Sequence, residues 1–169
     1  MSATDQLLQN NARYFRESAA RARPPRPRLA TAVLACMDAR IDVYRVLGLA
    51  PGDAHVIRNA GGVVTDDAIR SLLISQRLLG TREVLVMHHT ECGMQTFRDE
   101  DLAAEIEREV GARPPFALGA FSDLQEDVRE SMRRILGSPF VAHKDQVRGF
   151  VYDVRTGSLE EVALGGPTG

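Results

Sequence analysis

From residue 29 onward the chain is punctuated by short runs of mostly branched apolar residues: LATAVLACM (29–37), AHVIRNA (54–60), EVLVMHH (83–89) and VRGFVYDVRTG (147–157). None alternates strictly between apolar and polar, so these runs predict strands buried on both faces. Between the second and third, TDDAIRSLLISQRLLG places Ala68, Ile69, Leu72, Leu73 and Leu79 at helical spacing. Thr65 or Asp66 is available as its N-cap and Gly80 as its stop, which makes a β-α-β unit. Residues 99–110 and 122–136 predict two more helices, the latter with Ser122 as N-cap and Gly137 as its stop, joined by a loop, GARPPFALG. YDVRTGSLEEVAL reads as a hairpin whose final strand adds antiparallel to a sheet edge. Upstream, residues 4–20 carry Leu7, Leu8, Tyr14 and Phe15 in a loose helical stripe, and RARPPRPR (21–28) predicts an extended, solvated connector.

Strands alternating with helices imply an α/β fold: a mostly parallel central sheet of about four parallel strands plus an antiparallel edge strand, flanked by helices, with an N-terminal arm helix. The length fits a single domain over 1–169, with 1–28 as helix and connector and 29–169 as the core. Composition changes this little, at 44% apolar and 26% charged residues. A net charge of -2 and a pI near 6.1 give no global reason to expect nucleic acid or an anionic membrane as partner. MSATDQLLQN has neither a basic nor an apolar leader segment, and no run of about 18 apolar residues is present, so the expectation is a cytoplasmic protein with no membrane partner.

In such sheets ligands bind beyond the C-terminal ends of the strands. Both cysteines of the chain fall there: Cys36 ends the first run, and Cys92 follows the third in HHTECGM, spaced H-x-x-C from His89. If the two strands are neighbours, two thiolates and an imidazole converge on one point, a zinc set with an open fourth position, and soft ligands favour zinc over magnesium or calcium. Buried apolar fillers and a dithiol pair are the competing readings of the cysteines, the second weakened by the lack of C-x-x-C. Gly93 allows tight backbone geometry beside Cys92, and Asp38 and Arg40 place opposite charges next to an apolar strand, where unpaired charge is costly.

The three segments ACMDAR, VIRNAGG and HHTECGM, in that order and spacing, resemble a β-class carbonic anhydrase over residues 29–97, and more loosely over most of the chain. The resemblance implies one Zn2+ per chain held by Cys36, His89 and Cys92. It implies Asp38 and Arg40 as a catalytic dyad, and the segment from Arg58 through Asn59, Ala60, Gly61 and Gly62 as lining the substrate pocket. Two positions depart from the pattern: Ala39 stands where many relatives have serine, and His88 where they often have glycine. The activity implied is reversible hydration of carbon dioxide to bicarbonate and a proton by zinc-bound hydroxide, in a homodimer or dimer of dimers. Asp38, freed from Arg40, would close the metal at lower pH.

Arg40 is suited to hold Asp38 in a forked pair of hydrogen bonds, which keeps the carboxylate ionised. Rivals to this activity are a related hydrolase of carbonyl sulfide or carbon disulfide, and a non-catalytic zinc-binding module, which would have no use for Asp38 and Arg40. His88 reads as structural or solvent-facing, with a proton relay as the lesser reading; His55 and His143 read as ordinary surface histidines. Gly61 and Gly62 read as a close backbone approach to the site rather than only a turn.

Overall fold

The structure, a computed structural model, describes residues 2–17 and 23–165. Five strands, β1 (Thr31–Cys36), β2 (Ala54–Asn59), β3 (Glu83–His89), β4 (Gln146–Tyr152) and β5 (Leu159–Val162), form one sheet in the order β2-β1-β3-β4-β5. The first four are parallel and β5 closes the edge antiparallel to β4, as the hairpin pattern predicts. The helices are α1 (Ala3–Glu17), α2 (Val43–Val46), α3 (Asp66–Arg77), α4 (Asp99–Val110) and α5 (Leu124–Gly137).

The two faces of the sheet explain why the strands read as continuous apolar runs. Ala32 and Leu34 of β1 and Val84 and Val86 of β3 pack with Ala68, Ile69 and Leu72 of α3 and Ile135 of α5. The intervening Val33, Ala35 and Met87 pack on the opposite side with Ile41 and Val43. Burial on both sides removes the alternation that a half-solvated strand would show.

Local signals set most helix ends. The Thr65 side chain accepts from the Ala68 amide at the start of α3, and Gly80, at φ 77°, follows its end. Gly111 ends α4 in the left-handed conformation. The N-cap of α5 differs from expectation: Asp123, not Ser122, accepts from the Glu126 amide, and Gly137 is the last helical residue, with Ser138 as C-cap. A carboxylate at that position also gains from the helix dipole, which a serine hydroxyl lacks. Helix α2 has four residues, too few to leave a period in the sequence; Asp42 caps it by accepting from the Arg45 amide.

Part of the connector, residues 23–28, is described, and Arg28 pairs with Asp53 at 2.7 Å; residues 18–22, which include the end of the predicted arm helix, lie outside the described residues. Helix α1 leaves Leu7, Leu8, Tyr14 and Phe15 exposed, Phe15 at 79%. His55 is not the ordinary surface histidine expected. Its Nδ1 lies 2.7 Å from Ser75 Oγ, itself 2.7 Å from Thr81 Oγ1, so the ring ties β2 to α3.

Candidate metal centre

Strand ends deliver the three donors. Cys36 is the last residue of β1 and His89 the last of β3, and these strands are hydrogen-bonded neighbours, with Ala35 opposite Met87. The chain leaves β3 through Thr90 and Glu91, the latter at φ 57°, and this bend carries Cys92 back over the sheet end. The ligating atoms of Cys36, His89 and Cys92 all lie within 4.8 Å of one another, and all three residues are buried. The two Sγ atoms are 4.0 Å apart, and neither cysteine is in a disulfide.

The donor set fits a soft divalent cation on three counts. First, Nδ1 of His89 donates to the Thr90 carbonyl at 2.9 Å, which leaves the Nε2 lone pair for a ligand, and Nε2 is buried with no hydrogen-bond partner. A metal-ligating histidine is usually oriented by such a bond from its other nitrogen. Second, the backbone amides of Asp38 and Gly61 favour the charged form of Cys36 and that of Met94 the charged form of Cys92, an arrangement suited to thiolates. Third, contact between the two thiols drives their acidities apart. The hydrogen bond from Cys92 pulls the Cys36 pKa down, against burial, and the same contact pushes Cys92 up. Burial disfavours charge on His89, but the neighbouring Cys36 sulfur outweighs it and its pKa rises. A dication would relieve the repulsion between two thiolates, which is why zinc binding and thiol deprotonation go together.

Beside the cluster stands the expected pair. Arg40 donates from Nη2 to Asp38 Oδ2 at 2.7 Å and from Nε to Oδ1 at 3.0 Å, while its own amide donates to Oδ1 at 2.9 Å. This fork holds the Asp38 carboxyl well below the usual carboxylate range, against a small penalty from burial. Asp38 Oδ2 is 3.8 Å from His89 Nε2, so the carboxylate faces the donor cluster while anchored to the arginine.

The segment after β2 approaches the ligand strands closely at Gly62, whereas a Cβ on Gly61 would meet the side chains of Met94 and Val63 at 3.0 and 3.2 Å. Ala60–Gly62 forms a short 3-10 turn with both glycines at positive φ, 79° and 73°. A Cβ on Gly62 would stand 2.8 Å from the Cys36 amide nitrogen and 3.1 Å from the Met87 carbonyl oxygen. Asn59 pairs with Cys36 across the strands, and its Nδ2 donates to the Val63 carbonyl at 2.8 Å. Gly93 does not bear out its reading: its φ is not positive and open space lies where a Cβ would stand.

Several residues at the site escape sequence reasoning. Arg58, read only as part of the pocket-lining segment, donates to the carbonyls of Cys36 at 2.9 Å and Asp38 at 2.7 Å, bracing the backbone that carries ligand and carboxylate. The Glu91 carbonyl accepts from Arg40 Nη2 at 3.0 Å, and the Glu91 carboxylate pairs with both Arg40 and Arg155. His88, fully buried, contacts Asp127 of α5 rather than solvent. None of these pairings leaves a local motif, because each joins elements distant in sequence.

Comparison with known proteins agrees with this geometry. The carbonic anhydrase family pattern matches residues 31–159. The chain is 54% identical to β-carbonic anhydrase 1 of Mycobacterium tuberculosis over 165 residues, 96% of this chain and 99% of that protein. It is 32% identical to a carbon disulfide hydrolase of Acidithiobacillus thiooxidans over 157 residues, 78% of this chain and 72% of that one. Among solved structures, the carbonic anhydrase of Streptococcus mutans superposes with a TM-score of 0.90 at 40% identity, covering 96% of this chain and 99% of that one. By sequence over nearly its whole length and by fold, the chain belongs to the β-class carbonic anhydrase family.

Proposed function

We propose that the chain is a zinc-dependent carbonate dehydratase that interconverts carbon dioxide and bicarbonate, with one zinc per chain on Cys36, His89 and Cys92. The observation that carries this reading is the buried Cys2His cluster with an unpartnered Nε2, set beside a carboxylate locked by an arginine. Bound zinc would supply a Lewis acid that acidifies water at neutral pH. The protein's own residues do the rest. Arg40 keeps Asp38 ionised, so that its carboxylate accepts a hydrogen bond and orients a water next to the cluster. Arg58 fixes the backbone of both Cys36 and Asp38, and the turn Ala60–Gly62 with Asn59 walls a pocket for a small linear substrate. Two free buried thiols suit a reducing, cytoplasmic setting.

The reading extends to organisation: residues 29–169 as the core of a single domain, and 1–28 as an arm. The exposed Leu7, Leu8, Tyr14 and Phe15 of α1 then pack on a second copy in a homodimer or a dimer of dimers. No helix among the described residues is long and apolar enough to cross a membrane.

Metal analysis with stopped-flow carbon dioxide hydration tests the proposal. The expected result is one zinc per chain with turnover, and loss of both in Cys36→Ala, His89→Ala and Cys92→Ala. A Cys36→Ala protein as zinc-loaded as the parent would overturn the ligand assignment. The likeness to carbon disulfide hydrolases supports a second reading, hydrolysis of that sulfur analogue by the same donors. Assaying carbon dioxide, carbonyl sulfide and carbon disulfide on one preparation decides between them; hydrogen sulfide release without carbon dioxide hydration would favour the second.

A further inference from the structure

Directly before the His89 donor, on the other face of β3, lies a polar group with no part in the chemistry above. His88 is fully buried, at 0% exposure. Its Nε2 lies 3.1 Å from the Gly62 carbonyl oxygen, and its Nδ1 lies 3.1 Å from Asp127 Oδ2 on α5. The second contact is at ion-pair distance, and neither Nδ1 nor Oδ2 has a hydrogen-bond partner. A carbonyl only accepts, so Nε2 carries a hydrogen. Nδ1 and Oδ2 thus face each other across 3.1 Å, where a hydrogen on either atom would join them. Phe121 stacks on the ring at 5.7 Å between centroids, which fixes its plane.

An apolar side chain would fill this position with no desolvation penalty, whereas a buried histidine and carboxylate carry one. The use of the pair lies in what Gly62 does. Gly62 is buried in a turn where two successive residues have positive φ, and its carbonyl needs a donor that a regular ladder would have supplied. The same turn presses on the Cys36 backbone, the Cβ position of Gly62 lying 2.8 Å from the Cys36 nitrogen.

We propose that His88 and Asp127 are a positioning pair: Asp127 on α5 orients the His88 ring, His88 holds the Gly62 carbonyl, and the turn Ala60–Gly62 is thereby kept against the backbone of Cys36. The pair thus links the packing of α5 to the placement of one ligand. No proton is transferred to substrate, and no change of His88 protonation is involved. The inference rests on the metal reading above for its consequence, but not for the geometry itself.

The test uses the full chain and four substitutions: Asp127→Leu, Asp127→Asn, His88→Leu and His88→Gln. Amide hydrogen exchange of metal-free protein reads the position of Gly61 directly. Cobalt(II) titrated against a chelator reads metal affinity, and its thiolate charge-transfer absorption reads the Cys36 donor. Asp127→Leu is expected to speed exchange at Gly61 at least tenfold while core strands stay protected. It should also weaken cobalt by about 10–100-fold and shift the charge-transfer band. Asp127→Asn, whose amide can donate to a neutral Nδ1, should stay within about threefold of the parent, and His88→Gln should retain more than His88→Leu. Should His88→Leu fail to fold, the Asp127 variants on the half-buried helix still decide. Parental Gly61 exchange and an unmoved band in Asp127→Leu would overturn the proposal. Equal damage from Asp127→Asn would overturn it too, because charge rather than position would then be at work. A parent that binds no cobalt would sink the metal reading, and Gly61 exchange would still report on the pair.

Discussion

Replacing Gly62 with alanine puts the close approach of the β2 turn to a numerical test. Two costs add. At φ +73° an L-residue pays about 1–2 kcal/mol for the left-handed conformation. The new Cβ would also stand 2.8 Å from the Cys36 nitrogen, 3.0 Å from the Ala35 carbonyl carbon and 3.1 Å from the Met87 oxygen. These are backbone atoms of the two central strands and cannot rotate away, so an overpacking cost of about 1–3 kcal/mol applies. The sum is roughly 2–5 kcal/mol, a large part of the roughly 5–15 kcal/mol expected for the whole fold. For a chain of this size it should lower Tm by roughly 4–20 °C. Gly48→Ala is the control, since Gly48 has φ +64° but nothing within 4 Å of its Cβ position, and should pay only the first cost. Thermal and urea melts of both variants give the comparison, and zinc content of the folded fraction gives the link to Cys36, which should suffer in Gly62→Ala alone. Equal destabilisation by the two substitutions would refute the claim that the turn is wedged against β1.

Three further outcomes follow from the geometry. Arg40→Ala returns the Asp38 carboxyl toward its ordinary range, since hydrogen bonds from Arg40 are the main reason it is lowered. A depressed carboxylate stabilises the fold above its unfolded pKa of about 4 and loses that contribution as pH falls toward the folded value. Urea melts should therefore show a gap between parent and Arg40→Ala that is constant from pH 6 to 8 and shrinks in acid below about pH 4; a gap unchanged at pH 3 would mean that Arg40 acts by packing. Asp99→Ala removes the carboxylate that accepts from the amides of Leu118, Gly119 and Ala120 at 3.1, 2.9 and 2.7 Å. It should cost about 1–3 kcal/mol, with hydrogen exchange accelerated at 118–120 first, and unchanged protection there would refute the anchor. A chain beginning at Leu29 lacks the exposed apolar stripe of α1 and should run as a monomer or a weakened dimer by light scattering, whereas an unchanged stable dimer would remove that helix from the interface.

How much was legible in the sequence depended on whether an interaction is local or crosses the fold. The strands were readable because burial on both faces leaves runs such as TAVLAC and EVLVMHH, and β3 was bounded to the residue. The α5 cap was misplaced by one because Ser122 and Asp123 are both competent caps, and only helix geometry selects between them. Cys36, His89 and Cys92 converge because β1 and β3 are neighbours in a parallel sheet; the sequence places them at or just after strand ends, and the family resemblance supplies their grouping. The fork between Asp38 and Arg40 was equally accessible, lying two residues apart on one turn of chain. Arg58, Glu91 with Arg155, and His88 with Asp127 were not, since each reaches across separate elements.

That division has a physical cause. The donors must lie at strand ends, where position along one chain segment nearly fixes position in space. The residues that brace them have only to reach those ends from any element the fold packs nearby, so many sequence positions could serve. His88 shows the limit: period-two alternation puts it on the face opposite His89, but only the packing of α5 against β3 supplies Asp127. Alternation therefore assigns a residue to a face, and the partner on that face is chosen by tertiary packing. The chemistry of the cluster is thus written in short motifs, while its rigidity depends on long-range contacts. Substitutions at the three donors should abolish metal binding outright, and those at the braces should grade it.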